Sequence, residues 1–289
     1  MKTFWIRTAS AVVYALLFLG TLLSGRLLHN PQLGLLLFGA FLMFVNMGCT
    51  FEFFRMIGCQ GAAPCRPLGY VYAAAPMVVV LLMHAMMLIH APVLTGFLLV
   101  SFALLLFPAT FALSAIVQLW GHSQQPFREA AYTMVPLLYI AIPLTLMLAL
   151  IPDFGARVVL MLVVMVWVND SAAYIGGSLF GRHKMWPRHS PGKTWEGTAF
   201  GVLVTILFAV FGGSWLQPDV AWHQWLVLGV ICSVVDTLGD LVESMLKRSV
   251  GVKDSGSIMP GHGGFLDRFD SLLIIMPFAY AYLSLFVHI

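Results

Sequence analysis

Residues 158–175 read Val-Val-Leu-Met-Leu-Val-Val-Met-Val-Trp-Val-Asn-Asp-Ser-Ala-Ala-Tyr-Ile. Apolar residues run unbroken to Val168, and then Asn169 and Asp170 appear. A helix needs about 20 mostly apolar residues to cross a bilayer, so this stretch predicts a spanning helix that ends on a carboxylate. Eight more apolar stretches surround it: about Thr8–Leu23, Leu33–Phe51, Tyr70–His90, Leu94–Leu119, Tyr132–Ile151, Thr198–Phe211, Trp222–Leu238 and Leu272–Val287. Pro108 lies within the long fourth stretch, which reads as one kinked helix or two short ones. The expected fold is therefore an all-α polytopic integral membrane protein of about nine transmembrane helices, within a range of eight to ten.

Composition supports this. Of 289 residues 60% are hydrophobic and 9% charged, whereas a soluble domain carries about 25% charged residues. So few charges cannot cover a water-facing surface, which excludes a soluble enzyme. A net charge of +3 is too small to suggest nucleic acid. Cys49, Cys59, Cys65 and Cys232 show no zinc or redox spacing. Cys59–Cys65 is a conceivable disulfide, but residues suited to membrane helices are the reading taken. The first apolar run follows Lys2 and Arg7 as a signal peptide would, yet no cleavage pattern stands near Ser24-Gly25 and more spans follow. It reads as a retained helix.

Charge placement sets the orientation. With a cytoplasmic N-terminus and nine alternating helices, 13 of the 15 Lys and Arg fall on the cytoplasmic side, leaving Arg26 and Arg157 opposite. Charge is also uneven along the chain: residues 170–270 hold 17 of its 27 charges. Residues 1–169 read as a transmembrane scaffold and lipid-facing part, and 170–289 as the catalytic part, of one continuous membrane domain.

Three segments carry the chemistry. Asp236, Asp240, Glu243 and Lys247 fall at about 0°, 40°, −20° and 20° on a helix, one stripe about 60° wide. Ionised groups facing lipid are costly, so the stripe faces the interior or a wet cavity. An internal ion-pair network is the plain alternative, but one lysine cannot balance three carboxylates, and the excess invites a cation. The second segment runs from Gly251 to Gly256 and from Pro260 to Asp270; its glycines allow backbone N–H groups close to an anion. Here Asp267 is the better ligand candidate, since Asp270 also reads as a helix cap. The third is Asn169-Asp170 with Arg182, Lys184, Arg188 and the run Ser190 to Gly197, whose cations suit phosphates or, equally, an ordinary cytoplasmic loop. Gly192-Lys193-Thr194 is not a Walker loop, because neither the glycine frame nor a leading strand is present. Among the histidines only His262, between glycines, merits a test. Carboxylates for a divalent cation, cations for phosphates and glycines for close approach form the kit for phosphoryl or nucleotidyl transfer, with one lipid and one water-soluble substrate.

The run Ser244-Met245-Leu246-Lys247-Arg248, then Lys253-Asp254-Ser255-Gly256, then Met259 through Gly261-His262-Gly263-Gly264 and Asp267-Arg268 to Asp270 resembles the signature of the phosphatidate cytidylyltransferases. Asp170 to Tyr174 and Ser190 to Gly197 are similar to two further blocks of that family. The match covers about the last 120 residues, and Met259 departs conservatively from the family's usual Leu, Ile or Phe. The resemblance implies that phosphatidate attacks the α-phosphorus of CTP, giving CDP-diacylglycerol and pyrophosphate, with Mg²⁺ and a monovalent cation such as K⁺ beside it. It implies Asp240, Asp267 and Glu243 as metal ligands and Lys247, Lys253 and Asp254 with Asp240 and Asp267 as catalytic groups. Lys193, Ser190, Arg248, Arg268, Gly263, Gly264 and Asp170 would bind substrate. Implied partners are phosphatidate, CTP and membrane lipid, with a homodimer as the assembly to look for. The site would face the cytosol, from the inner membrane in a bacterium. A CTP-dependent polyprenol-type kinase is the alternative enzyme, and an ion-coupled transporter the alternative of another class.

Overall fold

The computed structural model describes residues 2–88, 108–121, 123–188, 190–256 and 263–287. Besides a four-residue turn at Ser24–Leu27, the described residues form nine longer helices: α1 (Lys2–Leu22), α2 (Pro31–Gly58), α3 (Arg66–Leu88), α4 (Pro108–Trp120), α5 (Pro126–Phe154), α6 (Ala156–Phe180), α7 (Trp195–Leu216), α8 (Trp222–Ser249) and α9 (Leu266–Phe286). All except α1 and α4 are long and apolar enough to cross a membrane, which makes this a multi-pass membrane protein. The α1 helix has its apolar part at Val12–Leu22, and most of the predicted Leu94–Leu119 stretch lies outside the described residues.

Each helix follows from its apolar run, and its ends from local signals. Asn30 opens α2 by accepting from the Leu33 N–H at 3.1 Å, with Pro31 at the first helical position. Gly155, at φ +83°, breaks the chain between α5 and α6, where a side chain would be strained. Leu16, Phe44, Leu82, Leu203 and Phe278 point outward, as residues solvated by lipid do. Inside, the Phe18 ring meets Phe38 edge-on at 5.6 Å, while Tyr14 meets Phe269 at 5.8 Å and 90°. These rings pin α1 and α2 to the start of α9.

Two features place the site. The α6 and α7 helices approach closely because Gly197 has no side chain; a Cβ there would come 2.7 Å from the Ala173 carbonyl oxygen. Between them the basic segment folds as an antiparallel ribbon of β1 (Lys184–Trp186) and β2 (Ser190–Thr194), pairing Lys184 with Thr194 and Trp186 with Ser190. The helical expectation thus holds for the bundle and misses this ribbon. All four cysteines are free, so no Cys59–Cys65 disulfide forms.

Candidate active site

The ribbon is fastened at its base. Thr194 caps α7 by accepting from the Gly197 N–H at 3.2 Å, and Glu196 accepts from the backbone N–H groups of Arg182 and His183. That closure turns Lys193 toward α8, where its Nζ lies 2.7 Å from Asp240 Oδ2 and 3.1 Å from the Thr237 carbonyl oxygen.

The α8 helix outruns its apolar stretch by about three turns, ending at Ser249. Its ionisable stripe faces the bundle. Asp236 is buried and accepts from Asn169 Nδ2 at 2.5 Å, and Thr205 donates in turn to Asn169. Glu243, 1% exposed, lies 2.5 Å from Lys247, which also donates to Asp267 at 2.8 Å. Asp240, Glu243 and Asp270 each present a carboxylate oxygen within 4.8 Å of the other two. Among the described residues, buried Glu243 Oε1 has no hydrogen-bond partner, and neither does Asp236 Oδ1. A hard divalent cation takes oxygen ligands, so three clustered carboxylates with an unpartnered buried oxygen fit one.

Among the described residues, the structure groups Asp270 with Asp240 and Glu243 and leaves Asp267 beside them, engaged otherwise. The reason is competition. Asp267 spends its oxygens on Lys247, on the Ser255 N–H at 3.0 Å and on the Gly264 N–H at 2.8 Å. Asp270, one helical turn on, faces the same way with fewer donors. At the described end of the glycine loop, the Gly264 N–H serves Asp267, and the N–H groups of Phe265 and Leu266 serve Glu52 at 3.0 and 2.9 Å.

Of the other expected residues, Arg248 closes the turn after α8 on the Val252 carbonyl, and Lys253 and Asp254 are exposed on the following loop. His262 lies outside the described residues. Two open cavities flank the acidic group. One of about 420 Å³, between α6, the ribbon and α8, is lined by Asp170, Ser190, Gly192, Lys193, Thr194 and Asp240 among others. The second, about 320 Å³, lies between α1, α6 and α9, where Tyr14, Trp167, Asp170, Arg268 and Asp270 line it. Asp170 borders both.

Sequence reasoning missed Glu52. The signal was available: Glu52 is the one acid before Glu129, set at the end of an apolar run, and an intramembrane carboxylate marks function by default. Asn169 was placed in the third segment without a role of its own; its amide fixes Asp236.

Fold and site together define an integral membrane enzyme that handles phosphate esters. The chain belongs to the cytidylyltransferase family, whose sequence model matches residues 5–286. Among its relatives, a phosphatidate cytidylyltransferase of Staphylococcus epidermidis is 32% identical over 274 residues, covering 94% of this chain and 96% of that protein. The Bacillus subtilis phosphatidate cytidylyltransferase is 45% identical over 134 residues, which is 46% of this chain and 50% of the relative. That of Thermotoga maritima is 40% identical over 161 residues, 54% of this chain and 60% of the relative.

Proposed function

We propose that this protein transfers a cytidylyl group from CTP to phosphatidate, releasing pyrophosphate and leaving CDP-diacylglycerol in the membrane. The observation that carries this reading is the acidic group Asp240, Glu243 and Asp270, bracketed by Lys193 and Lys247 and open to two different cavities. The family name supports the nucleotide, and the names of the relatives support the lipid.

The nucleotide occupies the cavity under the ribbon, where Ser190, Gly192 and Lys193 meet its phosphates. The lipid phosphate enters the cavity between α1, α6 and α9 beside Arg268, with Ala15, Val166 and Leu272 near its chains. Asp240, Glu243 and Asp270 would hold Mg²⁺, which would neutralise phosphate charge there. Asp267 keeps Lys247 in place, and Lys247 screens Glu243. A phosphatidate oxygen attacks the α-phosphorus, a new P–O bond forms, and the bond to the β-phosphate breaks. The nucleophile is already an anion, so no side chain need take a proton. Asp240 pairs with Lys193 and also borders the cavity under the ribbon, which suits a group shared between a cation and a phosphate. Residues 170–289 carry these groups, and 1–169 supply the scaffold and Tyr14. The positive-inside split of Lys and Arg supports a cytosolic side for the ribbon and the end of α8, facing in from the inner membrane if the source is a bacterium.

The test is the fate of label. Purified protein with phosphatidate and CTP labelled on the α-phosphate should yield labelled lipid, while γ-label leaves in pyrophosphate. Lipid carrying γ-label without cytidine would replace this reading with a CTP-dependent kinase.

A further inference from the structure

Glu52 stands on α2, in the half of the chain without the acidic stripe, and none of its surface is exposed. Its two oxygens accept from Ser255 Oγ at 3.1 Å, from the Phe265 N–H at 3.0 Å and from the Leu266 N–H at 2.9 Å. The first-turn N–H groups of a helix need partners, and α9 begins with none of its own, because Phe265 at its N-cap has no side-chain acceptor. Glu52 therefore caps α9 from another helix. A carboxylate so placed is also favoured by the positive end of the helix dipole. Gly264 allows the approach: a Cβ there would strike both the Glu52 carboxylate and Ser255 Oγ.

The contact reaches the site in one more step. Ser255 donates its hydroxyl to Glu52 and its backbone N–H to Asp267. One turn beyond Asp267 on α9 lies Asp270. Fixing the start of α9 fixes the angle from which Asp270 meets Asp240 and Glu243.

We infer that Glu52 is a positioning residue for the reaction, holding Ser255 and the start of α9 so that Asp270 completes the carboxylate group on α8. The inference rests on the metal reading above. It predicts that removing the Glu52 charge weakens cation binding by more than any loss of stability accounts for.

The experiment uses the full chain in lipid nanodiscs, Mg²⁺ alone as the probe, and thermal unfolding as the readout, followed by turnover. In the wild type, Mg²⁺ raises the unfolding midpoint. In Glu52→Gln, an amide donor faces backbone donors, so the metal-free midpoint should drop as buried donors lose an acceptor; separately, the Mg²⁺ needed for half the rise should increase about 10-fold or more, the usual effect of disturbing a partner behind a metal ligand. The kcat should fall with KM for CTP nearly unchanged, and Glu52→Asp should recover part of both. A Glu52→Gln protein that titrates with Mg²⁺ like wild type overturns the inference, whether or not its metal-free midpoint drops, because it makes Glu52 a staple of the fold alone. Should Glu52→Gln fail to fold, Ser255→Ala removes a single bond of the clamp; an unchanged Mg²⁺ titration there overturns the inference equally. A wild type indifferent to Mg²⁺ would instead sink the metal reading, and this inference with it.

Discussion

Lys193 on the ribbon places its Nζ 2.7 Å from Asp240 Oδ2 on α8. The pair joins the cavity assigned to the nucleotide to the carboxylates assigned to the metal, so its loss should be felt in chemistry more than in folding. Lys193→Met should lower kcat/KM for CTP about 10- to 100-fold, the range for partners of metal ligands. Because both residues act in one contact, adding Asp240→Asn should cost much less than the two single losses combined. A steady-state double-mutant cycle measures this, and fully additive losses would show that the contact has no part in turnover.

Asp267 and Asp270 should separate into two phenotypes. Asp267→Asn strips the shared partner from Lys247, Ser255 and Gly264, and should destabilise the protein by roughly 1–3 kcal/mol, the cost of leaving buried donors short of an acceptor. Asp270→Asn breaks no such set; its unfolding midpoint should hold, while the Mg²⁺ response and turnover are lost. Asp219→Asn, in the exposed loop between α7 and α8, should be silent in both assays. Thermal melts with and without Mg²⁺ read all three.

A methyl group is enough to test the loop. Gly264→Ala drives a Cβ into Glu52 and Ser255, and the backbone must shift, so both stability and turnover should drop. Gly20→Ala, with nothing within 4 Å of its Cβ and its surface toward lipid, should leave both as they were. Equal melts for the two variants would show that the loop does not close on Glu52.

Orientation can be read from a native cysteine. Cys59 is exposed after α2, at the end of the bundle where Gln60 donates to the Ser249 carbonyl at 2.6 Å. In a Cys65→Ser background, an impermeant maleimide should label Cys59 in inside-out vesicles and spare it in intact cells. Labelling of intact cells would invert the topology and remove the route for CTP.

Hydropathy carried the bundle because each spanning helix is its own apolar run, such as 158–168, and needs no partner to be recognised. The α8 stripe was legible for a similar reason: helical spacing alone puts Asp236, Asp240, Glu243 and Lys247 on one face. The ribbon was not, since Lys184–Trp186 and Ser190–Thr194 lack an apolar alternation and pair through backbone bonds closed by Thr194 and Glu196. The preference for Asp267 over Asp270 turned on competition for its oxygens, and those donors come from Ser255 and Gly264, which only folding brings there. Glu52 was hidden by distance: its partners lie 203 to 214 residues along the chain.

The extra turns of α8 bear on how an oil-soluble and a water-soluble reactant meet. At about 1.5 Å per residue the helix is about 42 Å long, some 12 Å more than a typical hydrocarbon layer. Its charges, from Asp236 to Lys247, form a ladder about 16 Å tall that starts within the greasy slab and climbs to the water. On the site proposed above, the nucleotide would descend to the depth of a lipid headgroup, and the lipid would have no need to rise out of its leaflet. Turnover on this architecture avoids the cost of desorbing two acyl chains, about 0.8 kcal/mol for every methylene left in place.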